Sequence, residues 1–355
     1  MSSVQSPYPR SEYLRGIRYV SQAQVYPGSN GDVWSCAWAD DDHVYSVADD
    51  CTGIDQSNNS NLAIFRVEGT PPKHSIALVN PMSEYGTCGQ YEGHASWKGN
   101  GLTCVDGVLY LGVSQHSNAH QFPDGVQRAY DGSIVLSRDH GKTWSAKPAV
   151  GEPMWAGVEF STPLFVQFGK DYGGAMDEYV YAVSNSGTWN NGNYLLLGRC
   201  RRDRIGNLSG GDWEFFSTNY DPTKEVGWRP SPREATPIFR HRGYTSMAGI
   251  QYLPYWDRFL LGMWAYADLD GHAPFDRTIL WLYEAPKPWG PWKVFHVEED
   301  WAGMAPYNPS FPAKWFEGWH PGGGNFLTMV YSGNFTGRDG VGGYSFITRR
   351  LELRR

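Results

Sequence analysis

No stretch of this chain is apolar for long enough to span a membrane as a helix, and none keeps a helical period over a useful length. Those two gaps exclude a helical membrane protein and a helix bundle. Positive charge is also in short supply: 30 Lys and Arg against 37 Asp and Glu leave a net charge of −7, which argues against nucleic acid or an anionic membrane as partner. Cysteine is scarce, and Cys36, Cys51, Cys88, Cys104 and Cys200 form an odd set without metal-finger spacing. Cys36, Cys104 and Cys200 fall in strand-like runs and read as small buried thiols. Residues 1–15 lack an apolar signal core. The reading is therefore cytoplasmic, or secreted or periplasmic if a leader has been cleaved.

What the chain does have is a repeated β phrase. Its second strand reads His43 to Val47, Val108 to Val113, Tyr179 to Val183, Phe259 to Trp264 and Phe326 to Tyr331, with an apolar partner before and after each. The marker residues Tyr45, Tyr110, Tyr181, Leu260 and Leu327 step by 65, 71, 79 and 67 residues, a period that fits one four-stranded propeller blade with generous loops. The expected fold is all-β, a five-bladed propeller. The fifth phrase ends at Arg355 without an outer strand, and the alternating run Ile17 to Tyr26 is expected to supply it and close the ring. Residues 1–16 then read as a tail and 17–355 as a single domain, since no linker interrupts the repeat. The 42 Gly and 15% aromatic residues suit short strands joined by tight turns, and a carbohydrate binder would draw on the same aromatics.

In a propeller the innermost strand of each blade starts, and the next one ends, on the same face of the disc, so ten positions converge on one funnel. Strand starts select Asp32, Trp34, Trp97, Lys98, Asn100, Glu159, Tyr244 and Asn308. Strand ends select Asp49, Asp50, Gln115, His116, Trp264 and Tyr266. Blade one is unusual in placing Asp32, Asp49 and Asp50 at one rim. Crowded carboxyl groups raise the pKa of at least one, and a protonated acid beside an ionised carboxylate is what glycosidic cleavage requires. The alternative is that they make turn hydrogen bonds or hold a structural calcium. Trp34, Trp97, Trp264 and Tyr244 offer flat faces for sugar rings or, equally, blade packing. Arg233 and Lys98 could hold a uronate or phosphate, or form ordinary ion pairs. His94, His116 and His120 lack the spacing of a zinc set, so no metal or cofactor is otherwise expected.

Ser137-Arg138-Asp139-His140-Gly141-Lys142-Thr143-Trp144 matches the Asp-box pattern Ser-x-Asp-x-Gly-x-Thr-Trp of sialidase-type propellers. Its spacing serves a turn, with no catalytic role, and the arginine triad of sialidases is not evident. The run Gly31-Asp32-Val33-Trp34, with Trp38-Ala39-Asp40-Asp41, Phe168-Gly169-Lys170-Asp171-Tyr172 and Glu284-Ala285-Pro286-Lys287-Pro288-Trp289-Gly290-Pro291-Trp292, resembles a bacterial five-bladed propeller family long of unknown function. That family includes endo-D-arabinanases. The resemblance implies catalytic roles for Asp32 and Asp50, with Asp49 assisting. The segments 80–100 and 115–130 depart from the family pattern and would overhang the funnel.

The expected function is thus a glycoside hydrolase acting on an arabinan-like or related polysaccharide, with a monomer or weak oligomer as the working form. Two other classes stay open. A polysaccharide lyase could use His94, His116, Tyr244 and Arg233, and a glycan-binding propeller would use the aspartates only as hydrogen-bond partners.

Overall fold

The computed structural model describes residues 5–91, 93–118, 121–155, 157, 160–218, 227–267, 277–303, 305–317, 325–333 and 344–355. Five blades follow one another along the chain. Blade one is Ser29–Trp38, Val44–Ile54, Ser60–Thr70 and Lys73–Asn80, in sheet order as in sequence. Blade two is Ala95–Val105, Val108–Ser117 and Ala129–Ser137. Blade three runs through Leu164–Gln167, Tyr179–Asn185, Gly192–Arg201, Trp213–Ser217 and Gly227–Arg229. Blade four is Ile250–Leu253, Arg258–Tyr266, Thr278–Ala285 and Lys293–Glu298. Blade five takes Tyr307–Ser310, Asn325–Ser332 and Ile347–Arg354 from the end of the chain.

Its outer strand comes from the beginning. Gly16–Tyr19 pairs antiparallel with Ile347–Arg354, Gly16 facing Arg354 and Tyr19 facing Leu351, and Gln24–Val25 pairs with Thr348 and Ile347 farther along the same strand. The closing segment is therefore two short pieces interrupted at residues 20–23. Residues before it also lie on the propeller: Ser11 donates its N–H to the Val294 carbonyl at 2.8 Å and its hydroxyl to Glu284 at 2.7 Å, and Tyr8 stacks on Phe239 with centroids 4.9 Å apart.

Tight turns on one face of the disc set the geometry of the other. The turn joining the first two strands of blade one carries Asp40, Asp41 and Asp42, and His140 Nε2 sits 2.9 Å from Asp40 Oδ1. The Ser137–Trp144 turn thereby lies on that same face. Within it Asp139 accepts from the Thr143 N–H at 2.9 Å and the Thr143 hydroxyl at 2.7 Å, the Gly141 N–H donates to Ser137 Oγ at 2.8 Å, and Trp144 Nε1 donates to the Gly141 carbonyl at 2.9 Å. Along the axis, the inner strands of blades three and four come close enough to pair in parallel, Val166 with Ile250. What remains of the channel is a cavity of about 40 Å³ touched by all five blades, among them Val33, Asn100, Gln167, Ile250 and Phe311.

One added segment breaks the regular order. Phe239–Thr245 pairs with the start of Gly192–Arg201, Leu195 facing Phe239 and Tyr194 facing Arg240. It places residues 232–240 on the flank of blade three, while Thr245 at its far end accepts from Asn185 at 3.0 Å.

Two outcomes follow from this architecture. Removing residues 5–25 should leave Ile347–Arg354 as an open sheet edge, and the cooperative thermal transition should be lost or lowered by many degrees, measured by calorimetry; an unchanged melting temperature would refute the closure. Asp139→Ala should cost about 1–2 kcal/mol by freeing two donors while turnover per folded molecule stays at the wild-type value, because the turn lies on the far face.

Candidate active site

On the face opposite those turns, a cavity of about 200 Å³ is lined by residues of every blade. Asp32, Asp49 and Asp50 come from blade one, Lys98 and His116 from blade two, Trp189 from blade three, Tyr266 from blade four, and Tyr307 and Tyr344 from blade five. The five-fold convergence expected from strand order is thus present for the three aspartates, Lys98, His116 and Tyr266.

The local backbone explains how Asp32 reaches this cavity. Pairing between the first two strands of blade one shifts register on both sides of Asp32, which faces Asp49. In the bulge, Val33 and Trp34 adopt positive φ values of 67° and 48°, and across the ladder Asp50 does so at 44°. Non-glycine residues take that conformation only at a cost of order 1 kcal/mol each. Trp34 holds the bulge in place. Its ring is fully buried against Phe65 and Phe346, at 5.2 and 5.3 Å, and its Nε1 donates to the Gly31 carbonyl at 2.7 Å.

Each carboxyl group has a different environment. Asp32 Oδ2 accepts from the Tyr307 hydroxyl at 3.0 Å, and its buried Oδ1 has no partner among the described residues. Burial, then the charge of Asp50, pushes the Asp32 carboxyl up to about 7, while Lys98 and the Tyr307 hydrogen bond pull it partly back. Asp49 Oδ1 accepts the Gly99 N–H at 2.8 Å, an approach possible because a Cβ on Gly99 would stand 2.5 Å from the Val47 side chain. Burial holds the Asp49 carboxyl well above the usual carboxylate range against the opposing pull of Lys98. Asp50 is ion-paired with Lys98. The Lys98 ammonium is buried, which opposes its charge, yet Asp50, Asp49 and Asp32 together hold its pKa above that of an ordinary lysine. Three acids thus share one cation.

His116 completes the blade-two side. Its Nε2 lies 2.8 Å from Ser114 Oγ, which is itself bonded to Asn100, and burial with the nearby Lys98 charge pushes the imidazole down to about 3. It is a neutral ring at physiological pH. Opposite, Trp189 is placed by its neighbours: Asn190 Oδ1 accepts the Gln127 N–H at 2.8 Å, and Asn191 bonds both the N–H and the carbonyl of Tyr266, at 3.1 and 2.9 Å.

Several residues expected at the site lie elsewhere. Trp34, Trp97 and Trp264 are buried in packing and present no face to the cavity. Trp97 meets Tyr85 edge-on, and Trp264 lies one layer down, donating to the Met247 carbonyl at 2.9 Å and Asn308 Oδ1 at 3.0 Å beneath Trp189 and Tyr307. Asn100 lines the axial channel, its amide held by Ser114. Arg233 lines a groove on the flank of blade three, and Tyr244, on the added strand, packs on His241 and on Trp281 of blade four. Lys98 is engaged by the aspartates, so it is not a free anion-binding group. Glu159 and His120 lie outside the described residues. Conversely, Tyr307, Trp189, Tyr344 and Gln127 line the cavity without having been singled out by strand order. Tyr307 escapes because the inner strand of blade five is Tyr307–Ser310, which begins one residue before the Asn308 that strand order selects.

The raised Asp32 carboxyl has a thermodynamic consequence. Its pKa is about 7 in the folded protein against 3.8 ordinarily, so the native state holds the extra proton between those values. The stability this group contributes is fully present below about pH 4 and is lost as pH rises through about 7. Asp32→Asn cannot ionise. Its melting temperature should exceed that of the wild type at alkaline pH, with the difference shrinking toward pH 4; a constant offset across a pH series of thermal scans would contradict the assignment.

No family model and no curated protein matches the chain. Among solved structures, a candidate hydrolase from Bacteroides ovatus aligns with a TM-score of 0.52 at 13% identity, over 99% of this chain and 97% of its own. The GH43_1 enzyme from Xanthomonas citri aligns with a TM-score of 0.52 at 10% identity, over 94% and 91%. What the chain shares with them at such identity is its fold, the all-β five-bladed propeller.

Proposed function

We propose that this cavity cleaves glycosidic bonds, with Asp32 as general acid and Asp50 as the base or nucleophile. The observation that carries the reading is that two carboxyl groups in unlike surroundings line one cavity: Asp32 buried and raised to about 7, Asp50 partly exposed and ion-paired with Lys98. A carboxyl group that keeps its proton near neutral pH can serve as the acid. Tyr307 donates to Oδ2 of Asp32 and holds the carboxyl group at the cavity wall. The carboxyl proton passes to the leaving oxygen as the bond to C1 breaks, and Asp50 activates water or attacks C1 from the other side. Asp49, fixed by the Gly99 N–H, keeps Lys98 between the acids and is a positioning residue.

For the substrate we infer an arabinan-like polysaccharide, on the strength of the first-blade motif Gly31-Asp32-Val33-Trp34 and its resemblance to endo-D-arabinanases. The aromatic walls Trp189, Tyr266, Tyr307 and Tyr344 suit a sugar ring. A lyase would need a free cation for the uronate carboxylate beside its base. In this cavity the cation among the described residues is Lys98, already paired with Asp50, and Arg233 and Tyr244 are on blade three.

Asp32→Asn and Asp50→Asn should each lower turnover by about 10²–10⁴-fold, followed as new reducing ends on a panel of arabinans and related glycans. Wild-type activity should fall as pH rises above about 7, where Asp32 loses its proton. Absorbance from an unsaturated product would reveal a lyase instead, and binding without either signal a lectin.

A further inference from the structure

On the flank of blade three an open groove of about 830 Å³ is lined by Tyr194, Leu196, Pro232, Arg233, Pro237 and Arg240, beside Gly157. Its position follows from the added strand. Tyr194 and Arg240 are cross-strand neighbours, and the Arg240 guanidinium lies 5.6 Å from the centre of the Tyr194 ring. Along that strand Arg240 and Arg242 are exposed, alternating with the buried Phe239 and His241. Arg233 is exposed on the turn before it, which Ser231 caps through its hydroxyl. Neither the Arg233 nor the Arg240 guanidinium has a carboxylate partner among the described residues. On a chain of net charge −7, two uncommitted arginines facing one groove are a local reversal of sign. The groove lies beside Gly192–Arg201, the strand that begins just after Trp189 of the acid cavity.

We propose that this groove is a second glycan site, for the uronate-bearing part of a polysaccharide. Planar guanidinium groups bind carboxylates through paired hydrogen bonds. Tyr194 with Pro232 and Pro237 provides the flat apolar surface on which a sugar face rests. A neutral chain would use the apolar wall and leave both arginines idle. The class of partner rests on the glycan reading of the acid cavity; the binding itself does not depend on cleavage.

The test is isothermal titration calorimetry of the intact protein with oligogalacturonate, and with a neutral arabino-oligosaccharide for comparison. The wild type should bind oligogalacturonate with an affinity that falls as salt is raised. Arg233→Ala combined with Arg240→Ala should weaken that binding at least about tenfold, and the lysine pair should restore only part of it because the fork geometry is lost. Asp32→Asn should bind as the wild type does, which separates this site from the catalytic one. Both arginines are exposed, so melting temperatures should be retained; the single variants Arg233→Gln and Arg240→Gln, each weaker than wild type, provide a second reading. Absence of oligogalacturonate binding by the wild type, or equal affinity in the double variant, would overturn the proposal whether or not the acid cavity cuts glycans.

Discussion

Three carboxyl groups, two of them buried, around a single buried ammonium are the constraint to which the rest of the site conforms. Taking charges out of water costs several kcal/mol per ion, and good geometry with an opposite charge offsets only part of that. Asp32, Asp49 and Asp50 cannot all ionise beside Lys98 without a net excess of negative charge, so protons stay on the site that bulk water would remove, and both Asp32 and Asp49 titrate high. The positive φ values at Val33, Trp34 and Asp50 add backbone strain at the same place. Such a cluster persists because its surroundings leave it no cheaper arrangement. The Trp34 ring fixes the bulge from below, the Gly99 N–H fixes Asp49 from the next blade, and Tyr307 fixes Asp32 from the last.

That last contact ties the acid cluster to ring closure. Asp32 lies at the start of blade one and Tyr307 at the start of blade five, so their 3.0 Å hydrogen bond crosses the junction where the two ends of the chain meet. The junction holds because Gly16–Tyr19 completes blade five from the other terminus. Trp189, Asn190 and Asn191 play a similar part on the opposite side, linking the loop of blade three to Gln127 and Tyr266. A wall built from five blades stays narrow only if all five are held in register.

Sequence reasoning reached this arrangement where strand order alone decides it. Period and strand alternation made the five blades legible, and the rule that first-strand starts and second-strand ends share a face led to Asp32, Asp49, Asp50, Lys98, His116 and Tyr266. It failed where local backbone geometry overrides alternation. Trp34 stands two residues from Asp32 and, in a regular strand, would share its side of the sheet; the bulge turns it into the core. Trp264 is second-strand sequence as expected, but Trp189 and Tyr307 cover it. Trp189 itself lies in a loop and is invisible to any strand rule. Tyr244 falls outside the cavity because Phe239–Thr245 is an extra strand, its exposed Arg240 and Arg242 alternating with buried Phe239 and His241 as a half-buried strand should.

Charge placement connects the two proposed sites. Within the cavity three acids face one lysine, and His116 from blade two is neutral. An anionic sugar entering there would meet repulsion in surroundings where charges are poorly screened, so the residue at the point of cleavage is best neutral, as arabinofuranose is. Carboxylates farther along the same polymer would be drawn instead to the flank of blade three, where Arg233 and Arg240 have no carboxylate partner among the described residues. A polysaccharide of mixed character would be oriented by this separation alone, its charged stretch held outside and its neutral stretch led over Asp32 and Asp50. The division of charge thus acts before any shape complementarity in the cavity does.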